Sequence, residues 1–242
     1  MSRHLSYFVS DVHLGLQVAD AAGREARFVA FLKGIPAAET EALYLLGDIW
    51  DFWYEYRYVV PKGYVRVFAA LTALMDAGVK VYFFQGNHDS WSYSYFEELG
   101  MVRLCQPAVI EVGGKRFCLG HGDGLGPGNH RYKLLKAAFN SRWLQRAFSA
   151  LHPWIAFRFG NGWSRSSRLA KNVGYYFKGE QEPLYRFCAG FPEAVDYFIF
   201  GHYHCRVDMP VGKARLLLLS DWISASNWIL YDRENGLSVI YK

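Results

Sequence analysis

The sequence predicts an α/β fold in which two facing β-sheets are flanked by helices and a helical cap is inserted late in the chain. Three observations predict it. Short β-branched or aromatic runs alternate with amphipathic stretches through the first half, the last quarter is almost wholly strand-like, and strand alternation disappears between about Asn129 and Phe187. The expected boundaries are residues 1–123 and 191–242 for the main domain and 124–190 for the cap.

Leu5 to Val9 reads as a first strand. Arg24 to Leu32 reads as a helix with Phe28, Phe31 and Leu32 on one face, and Ala42 to Leu46 as a second strand. Val65 to Ala77 is helical in pattern and Lys80 to Gln85 is a third strand. Ala108 to Val112 and Arg116 to Leu119 form a hairpin across Gly113-Gly114. The last quarter offers Tyr197 to Phe200, Arg215 to Leu219, Trp228 to Tyr231 and Leu237 to Tyr241, with Asn235-Gly236 as a tight turn. Between the halves two or three helices carry Trp143, Trp154 and Trp163 among many Phe and Tyr. Neither internal repeats nor low-complexity tracts occur.

Composition excludes several classes. With 52% hydrophobic residues, 23 Gly and 8 Pro in 242 residues, disordered, collagen-like and coiled-coil chains are excluded. No apolar run approaches the roughly 20 residues that a spanning helix needs, and Arg3 and His4 open directly onto a strand, so neither a secretory signal nor a membrane span is expected. The cysteines, Cys105, Cys118, Cys188 and Cys205, form no Cys-x-x-Cys pair, which argues against a disulfide framework and fits a reducing cytoplasm. Cys205 directly follows His204 and is either a thiolate ligand or a buried free thiol.

The charge is unevenly spread. From Gly124 to Gly179 there are ten Lys or Arg and no Asp or Glu, whereas the whole chain is +5, so the remainder is −5. A basic, aromatic insert in an acidic body implies an anionic partner. Nucleic acid is not expected, because these cations sit in a Trp- and Leu-rich helical stretch with no recognisable binding module. No protein partner is inferred.

The chemistry is concentrated at strand ends. Asp11 and His13 follow the first strand, two residues apart, so both side chains can point the same way. Gly47-Asp48 follows the second, Gly86-Asn87-His88-Asp89 the third, Gly120-His121-Gly122-Asp123 the hairpin, and Gly201-His202-Tyr203-His204 the strand after the cap. One such cluster is an ordinary strand-terminating turn. Five in succession, mixing imidazole with carboxylate and each beside glycine, point to metal. Asp51, Asp89 and Asp123 are read as orienters or loop caps.

In this order the motifs resemble those of the calcineurin-like metallophosphoesterases, from Ser10 to His204 and without a gap. The resemblance implies two divalent ions, manganese before iron or zinc. It places one on Asp11, His13, Asp48 and His204, and the other on Asp48, Asn87, His121 and His202, with Asp48 shared. It makes Asp48, Asn87 and His88 the catalytic set, His88 stabilising the transition state or protonating the leaving oxygen. Within the superfamily the Ser-Asp-Val-His-Leu-Gly start, the Gly-Asp-Ile-Trp-Asp-Phe-Trp loop and the helical insert are most similar to the UDP-2,3-diacylglucosamine pyrophosphatases of lipid A biosynthesis.

That likeness implies a nucleotide-linked glycolipid substrate, peripheral contact with the membrane surface and a place at the cytoplasmic side of the inner membrane. It makes Asn87, His88, Asn129, Tyr132, Arg165, Ser167, Lys171 and His202 candidate substrate contacts. The best-known branch of those enzymes carries Arg where this chain has His88, which leaves another nucleotide diphosphate or a phosphodiester as alternative substrates. A non-catalytic lipid-binding scaffold would show eroded ligands, and all seven positions here are intact. The helical spacing of Leu134, Leu135, Ala138 and Phe139, and of Leu144, Ala147, Phe148 and Leu151, suits either an ordinary core or a lipid chamber.

Overall fold

A computed structural model describes residues 3–170 and 176–242, with the side chains of residues 161 and 163–170 also outside the description. The chain runs β1 (Leu5–Val9), α1 (Ala21–Gly34), β2 (Thr40–Leu45), α2 (Val65–Asp76), β3 (Lys80–Phe84), α3 (Tyr95–Glu98), β4 (Val102–Leu104), β5 (Ala108–Val112) and β6 (Lys115–Leu119). The cap helices α4 (His130–Phe139), α5 (Arg142–Ser149) and α6 (Pro153–Ala170) follow. Then come α7 (Pro183–Ala189), β7 (Tyr197–Phe200), β8 (Val207–Val211), β9 (Ala214–Leu218), β10 (Asn227–Asp232) and β11 (Gly236–Tyr241).

One sheet has the order β11-β10-β1-β2-β3-β4 and the other β5-β6-β7-β9-β8. The period of two decides what each face covers. Along β1, β2 and β3, the residues Tyr7, Val9, Leu43, Leu45, Val81 and Phe83 pack outward against α1 and α2, with Phe28, Leu32, Val67 and Leu71. The intervening Phe8, Ala42, Tyr44 and Phe84 face the second sheet and meet Phe117, Leu119, Ile199 and Leu217. Phe8 stacks on Tyr44 at 4.9 Å and on Phe117 at 5.5 Å, closing the space between the sheets. The outer face of the second sheet, Cys118, Phe198, Phe200, Leu216 and Leu218, buries Leu184 and Cys188 of α7. Four layers result, helix on sheet on sheet on helix, as expected. α7 falls within the stretch read as cap, yet it packs on this sheet.

β4 and β8 escape the sequence patterns for physical reasons. β4 has three residues, too few for alternation to register, and β8 carries Pro210, which a strand tolerates at a sheet edge. Cys118 and Cys188 are buried free thiols, and among the described residues no membrane-crossing helix occurs.

The aromatic loop after β2 seats the cap. Tyr54 Oη donates to the Gln145 carbonyl at 2.8 Å, Tyr56 Oη to that of Leu151 at 3.2 Å, and Trp91 Nε1 to that of Phe139 at 2.8 Å. These bonds reach carbonyls at the end of α4, within α5 and just beyond it. Phe148 packs against both Tyr54 and Trp91, and Gly160 of α6 lies so close to the Phe52 ring that a Cβ there would stand 2.3 Å from it.

Candidate metal centre

β1, β2 and β3 are mutually parallel, as are β6, β7 and β9, so each sheet delivers its strand ends to one edge. The loops beyond those edges are stitched together. Asp11 N–H donates to the Gly47 carbonyl at 3.1 Å, His13 N–H to that of Asp48 at 3.0 Å, and His202 N–H to Asp11 Oδ2 at 3.0 Å. Gly86 is needed for this approach, because a Cβ there would fall 2.2 Å from Asp48 Oδ1.

The backbone holds the candidate ligands in an uncommon conformation. Asp11, His13, Asp48, His202 and His204 all have φ between 51° and 68°, the left-handed region that L-residues disfavour by roughly 1–2 kcal/mol each. Their neighbours impose it. A turn there lets the side chain swing back over the strand end, where the other ligands gather.

Asp11, His13, Asp48 and His204 each place a ligand atom within 4.8 Å of the others. His13 Nε2 lies 3.6 Å from Asp11 Oδ1 and 3.8 Å from Asp48 Oδ2, and His204 Nε2 lies 3.4 Å from Asp11 Oδ1. Ligands about 2.0–2.2 Å from a shared ion stand about 3.0–3.4 Å apart, so modest closure suits one cation. Asp11 Oδ1 and Asp48 Oδ2 are buried without a hydrogen-bond partner, a costly state for carboxylate oxygens unless a cation completes it.

The second cluster converges in the same way. His121 Nδ1 donates to the Leu46 carbonyl at 3.0 Å, which turns Nε2 toward Asp48 Oδ2 at 3.4 Å and Asn87 Oδ1 at 3.3 Å. His202 Nδ1 stands 2.9 Å from the same Asn87 oxygen. The ring nitrogens and the oxygens thus converge on one point, where a cation would be held between them. Burial would lower the His121 imidazole, but the Asp48 carboxylate beside it pushes it up to about 10. Likewise, burial would raise Asp11 and Asp48, yet the imidazoles around them hold both well below the usual carboxylate range. The donor set, four imidazoles with two carboxylates and an amide oxygen, fits two divalent ions of the manganese, iron or zinc kind.

The surrounding residues orient these groups. Ser10 Oγ donates to Asp11 Oδ2 at 2.6 Å, and Asp51 Oδ1 lies 3.3 Å from His13 Nδ1. His13, Asp51 and His88 also form a compact group. We do not read it as an ion site, because His88 Nδ1 is taken up by the Asp51 carbonyl at 2.8 Å. That bond turns His88 Nε2 toward Asp48 Oδ2, 4.0 Å away. Asp89 clamps two loops by accepting from the N–H groups of Gly86 at 2.7 Å and Ile49 at 2.9 Å.

Asp221 was missed from sequence. It accepts from His204 Nδ1 at 3.0 Å and so fixes that ring, a carboxylate–imidazole arrangement common behind metal ligands. Only its place just after the strand Arg215 to Leu219 could have flagged it. Cys205, by contrast, is a thiol pushed up to about 12 by burial and by Glu182, and it joins neither cluster.

The substrate candidates are less closely gathered. Asn87, His88, Tyr132 and His202 line one cavity of about 270 Å³, whereas Asn129 is exposed at the N-cap of α4 and lies outside its lining. Tyr132 Oη donates to Asp123 Oδ2 at 2.8 Å. Lys171, and the side chains of Arg165 and Ser167, lie outside the described residues.

The left-handed turns carry a measurable consequence. In metal-free protein His204→Gly is expected to be more stable than His204→Ala by about 1 kcal/mol, since both lose the Asp221 bond but only glycine adopts a φ of 52° without strain. Denaturant titration of the two variants decides it. Equal stabilities would mean that the turn is not strained.

Residues 6–206 match the calcineurin-like phosphoesterase family. A UDP-2,3-diacylglucosamine hydrolase of Porphyromonas gingivalis is 37% identical over 246 residues, covering 93% of this chain and 93% of that protein. One from Klebsiella pneumoniae is 30% identical over 81% of this chain and 80% of its own length, and one from Vibrio cholerae 28% identical over 96% and 95%. With the strand-end clusters and their paired demand for cations, these matches establish that the chain belongs to the calcineurin-like phosphoesterases, as a two-metal phosphohydrolase.

Proposed function

We propose that the protein hydrolyses the diphosphate of UDP-2,3-diacylglucosamine, releasing UMP and 2,3-diacylglucosamine 1-phosphate in lipid A biosynthesis. One observation carries this choice of substrate. The cavity that begins at Asn87, His88 and His202 continues under the cap between Leu135, Phe139, Phe148 and Phe159, polar where a phosphate would react and apolar where a chain would lie. The relatives named above, similar over most of the chain, support the same reading.

In this reading Asp11, His13, Asp48 and His204 hold one ion, and Asp48, Asn87, His121 and His202 the other, manganese first with iron or zinc as substitutes. Such a pair lowers the pKa of an attacking water and neutralises charge on the phosphate. Asp48 would serve both ions, since its buried carboxylate faces His13 and His121. The neutral Asn87 amide leaves net positive charge for the anionic substrate. His88, anchored through Nδ1 on the Asp51 carbonyl, presents Nε2 to the leaving oxygen.

At about 270 Å³ the cavity is below the roughly 300–1,000 Å³ of drug-sized sites, so it holds only the part of the substrate next to the reacting phosphate. The rest meets a membrane. Trp143, Trp154 and Phe159 of α5 and α6 are 78%, 64% and 60% exposed, and Tyr58 on the neighbouring loop is 85% exposed. Arg146, Arg158 and Arg57 lie over Trp143, Trp154 and Tyr58 at 5.6, 5.5 and 5.2 Å. Indoles flanked by cations suit an anionic bilayer surface at the cytoplasmic face of the inner membrane. Trp143→Ala with Trp154→Ala is expected to weaken co-sedimentation with phosphatidylglycerol vesicles about tenfold or more. Undiminished binding would dismiss this face.

The substrate is tested by turnover. Manganese-loaded protein is expected to release UMP from the UDP-lipid in mixed micelles. Cleavage of another nucleotide diphosphate or phosphodiester, with no UMP from the lipid, would replace the lipid reading by a general phosphodiesterase one.

A further inference from the structure

Lys136 is the one Lys or Arg among the described residues lining the cavity. It sits on α4 with Nζ 2.7 Å from Asp123 Oδ2 and 3.3 Å from the Asp123 carbonyl. Asp123 is buried beside the metal-site loop and is shared: Oδ2 also accepts from Tyr132 Oη at 2.8 Å, and Oδ1 from Gln106 Nε2 at 2.7 Å. Gln106 in turn accepts from the N–H of Gly122, next to His121, at 2.8 Å. An ammonium has three donors. Two are used on Asp123, and the side chain, 32% exposed, keeps one for the cavity. That third N–H is what the pair offers a ligand in the cavity.

The same cavity is also lined by Asn87, His88 and His202, and Tyr132, one turn before Lys136 on α4, has its ring 6.0 Å from that of His202. A substrate whose reacting phosphate sits there and which carries a second phosphate next to it brings that second charge toward α4. We propose that Lys136, held in place by Asp123, binds the non-reacting phosphate of a diphosphate substrate and thereby sets a preference for diphosphates over single phosphodiesters. This rests on the diphosphate reading given above. The other cations of α4 differ: Arg131 is exposed, and Lys133 donates to the Gly126 carbonyl at 2.6 Å, away from the cavity lining.

The plain alternative is an ion pair that only anchors α4. Two substrates separate the two, given to the manganese-loaded full chain: UDP-2,3-diacylglucosamine, with two phosphates, and bis(p-nitrophenyl) phosphate, with one. Lys136→Met is expected to lower kcat/KM on the diphosphate about tenfold or more, chiefly through KM, as for a lost charge-assisted hydrogen bond. It changes the single phosphodiester less than about twofold on the same reasoning. Lys136→Arg recovers most of the loss, and Arg131→Met, which removes an exposed charge from the same helix, alters neither substrate. Equal losses on both substrates, or none on either, overturn the proposal while leaving the diphosphate reading standing. Wild-type protein that cleaves the single phosphodiester and no diphosphate overturns both.

Discussion

Asp48→Asn is expected to reduce phosphodiester hydrolysis by about a thousandfold or more, because an interaction worth several kcal/mol to the transition state disappears. The substitution is nearly isosteric. Oδ1 of Asp48 accepts from the His88 N–H at 2.8 Å, a bond an asparagine oxygen reproduces, so the loop keeps its course. What is lost is the charge at Oδ2, the buried oxygen that faces His13 at 3.8 Å on one side and His121 at 3.4 Å on the other. Among the described residues no other carboxylate reaches both clusters. Initial rates with saturating manganese, paired with elemental analysis of bound metal and a thermal melt, make the test. A folded variant that keeps both metals and a rate within about tenfold of wild type would remove Asp48 from the bridging position.

His88→Ala is expected to lower kcat by about a hundredfold to ten-thousandfold while metal content stays unchanged. The ring makes its anchoring bond to the Asp51 carbonyl, and its backbone N–H, which any residue supplies, serves Asp48. Removing the imidazole therefore spares the ion-holding groups. The substrate dependence distinguishes its roles. If His88 protonates the leaving oxygen, the loss is steep for a sugar phosphate or alkoxide leaving group and shallow for nitrophenolate, which departs without a proton. A uniform loss across leaving groups assigns it to charge stabilisation alone. An accompanying loss of metal would make it a ligand.

The sheets and the convergence of the clusters were legible because both depend on short-range pattern. Strand alternation wrote itself into Tyr7, Phe8 and Val9 and into Leu43, Tyr44 and Leu45, whose neighbours face opposite layers. The clusters announced themselves by following such runs directly, each with a glycine where backbones touch. The left-handed turns at Asp11, His13, Asp48, His202 and His204 were not legible, since nothing in the identity of a histidine or aspartate fixes φ. Asp221 was hidden for another reason: its contact with His204 spans 17 residues and arises because β7 and β9 lie side by side. The Asp123 cluster likewise joins Gln106 and Lys136 from elements that no local pattern relates.

The cap is gripped through main chain and side chain together: Tyr54, Tyr56 and Trp91 donate to carbonyls that any amino acid would offer, while Phe148 packs on Tyr54 and Trp91. Part of the docking is thus independent of which side chains the insert displays. Substitutions away from Phe148, Gly160, Tyr132 and Lys136 can therefore alter the cavity wall without unfastening the insert. A lineage built this way can vary what the cavity admits while its hydrolytic machinery stands still.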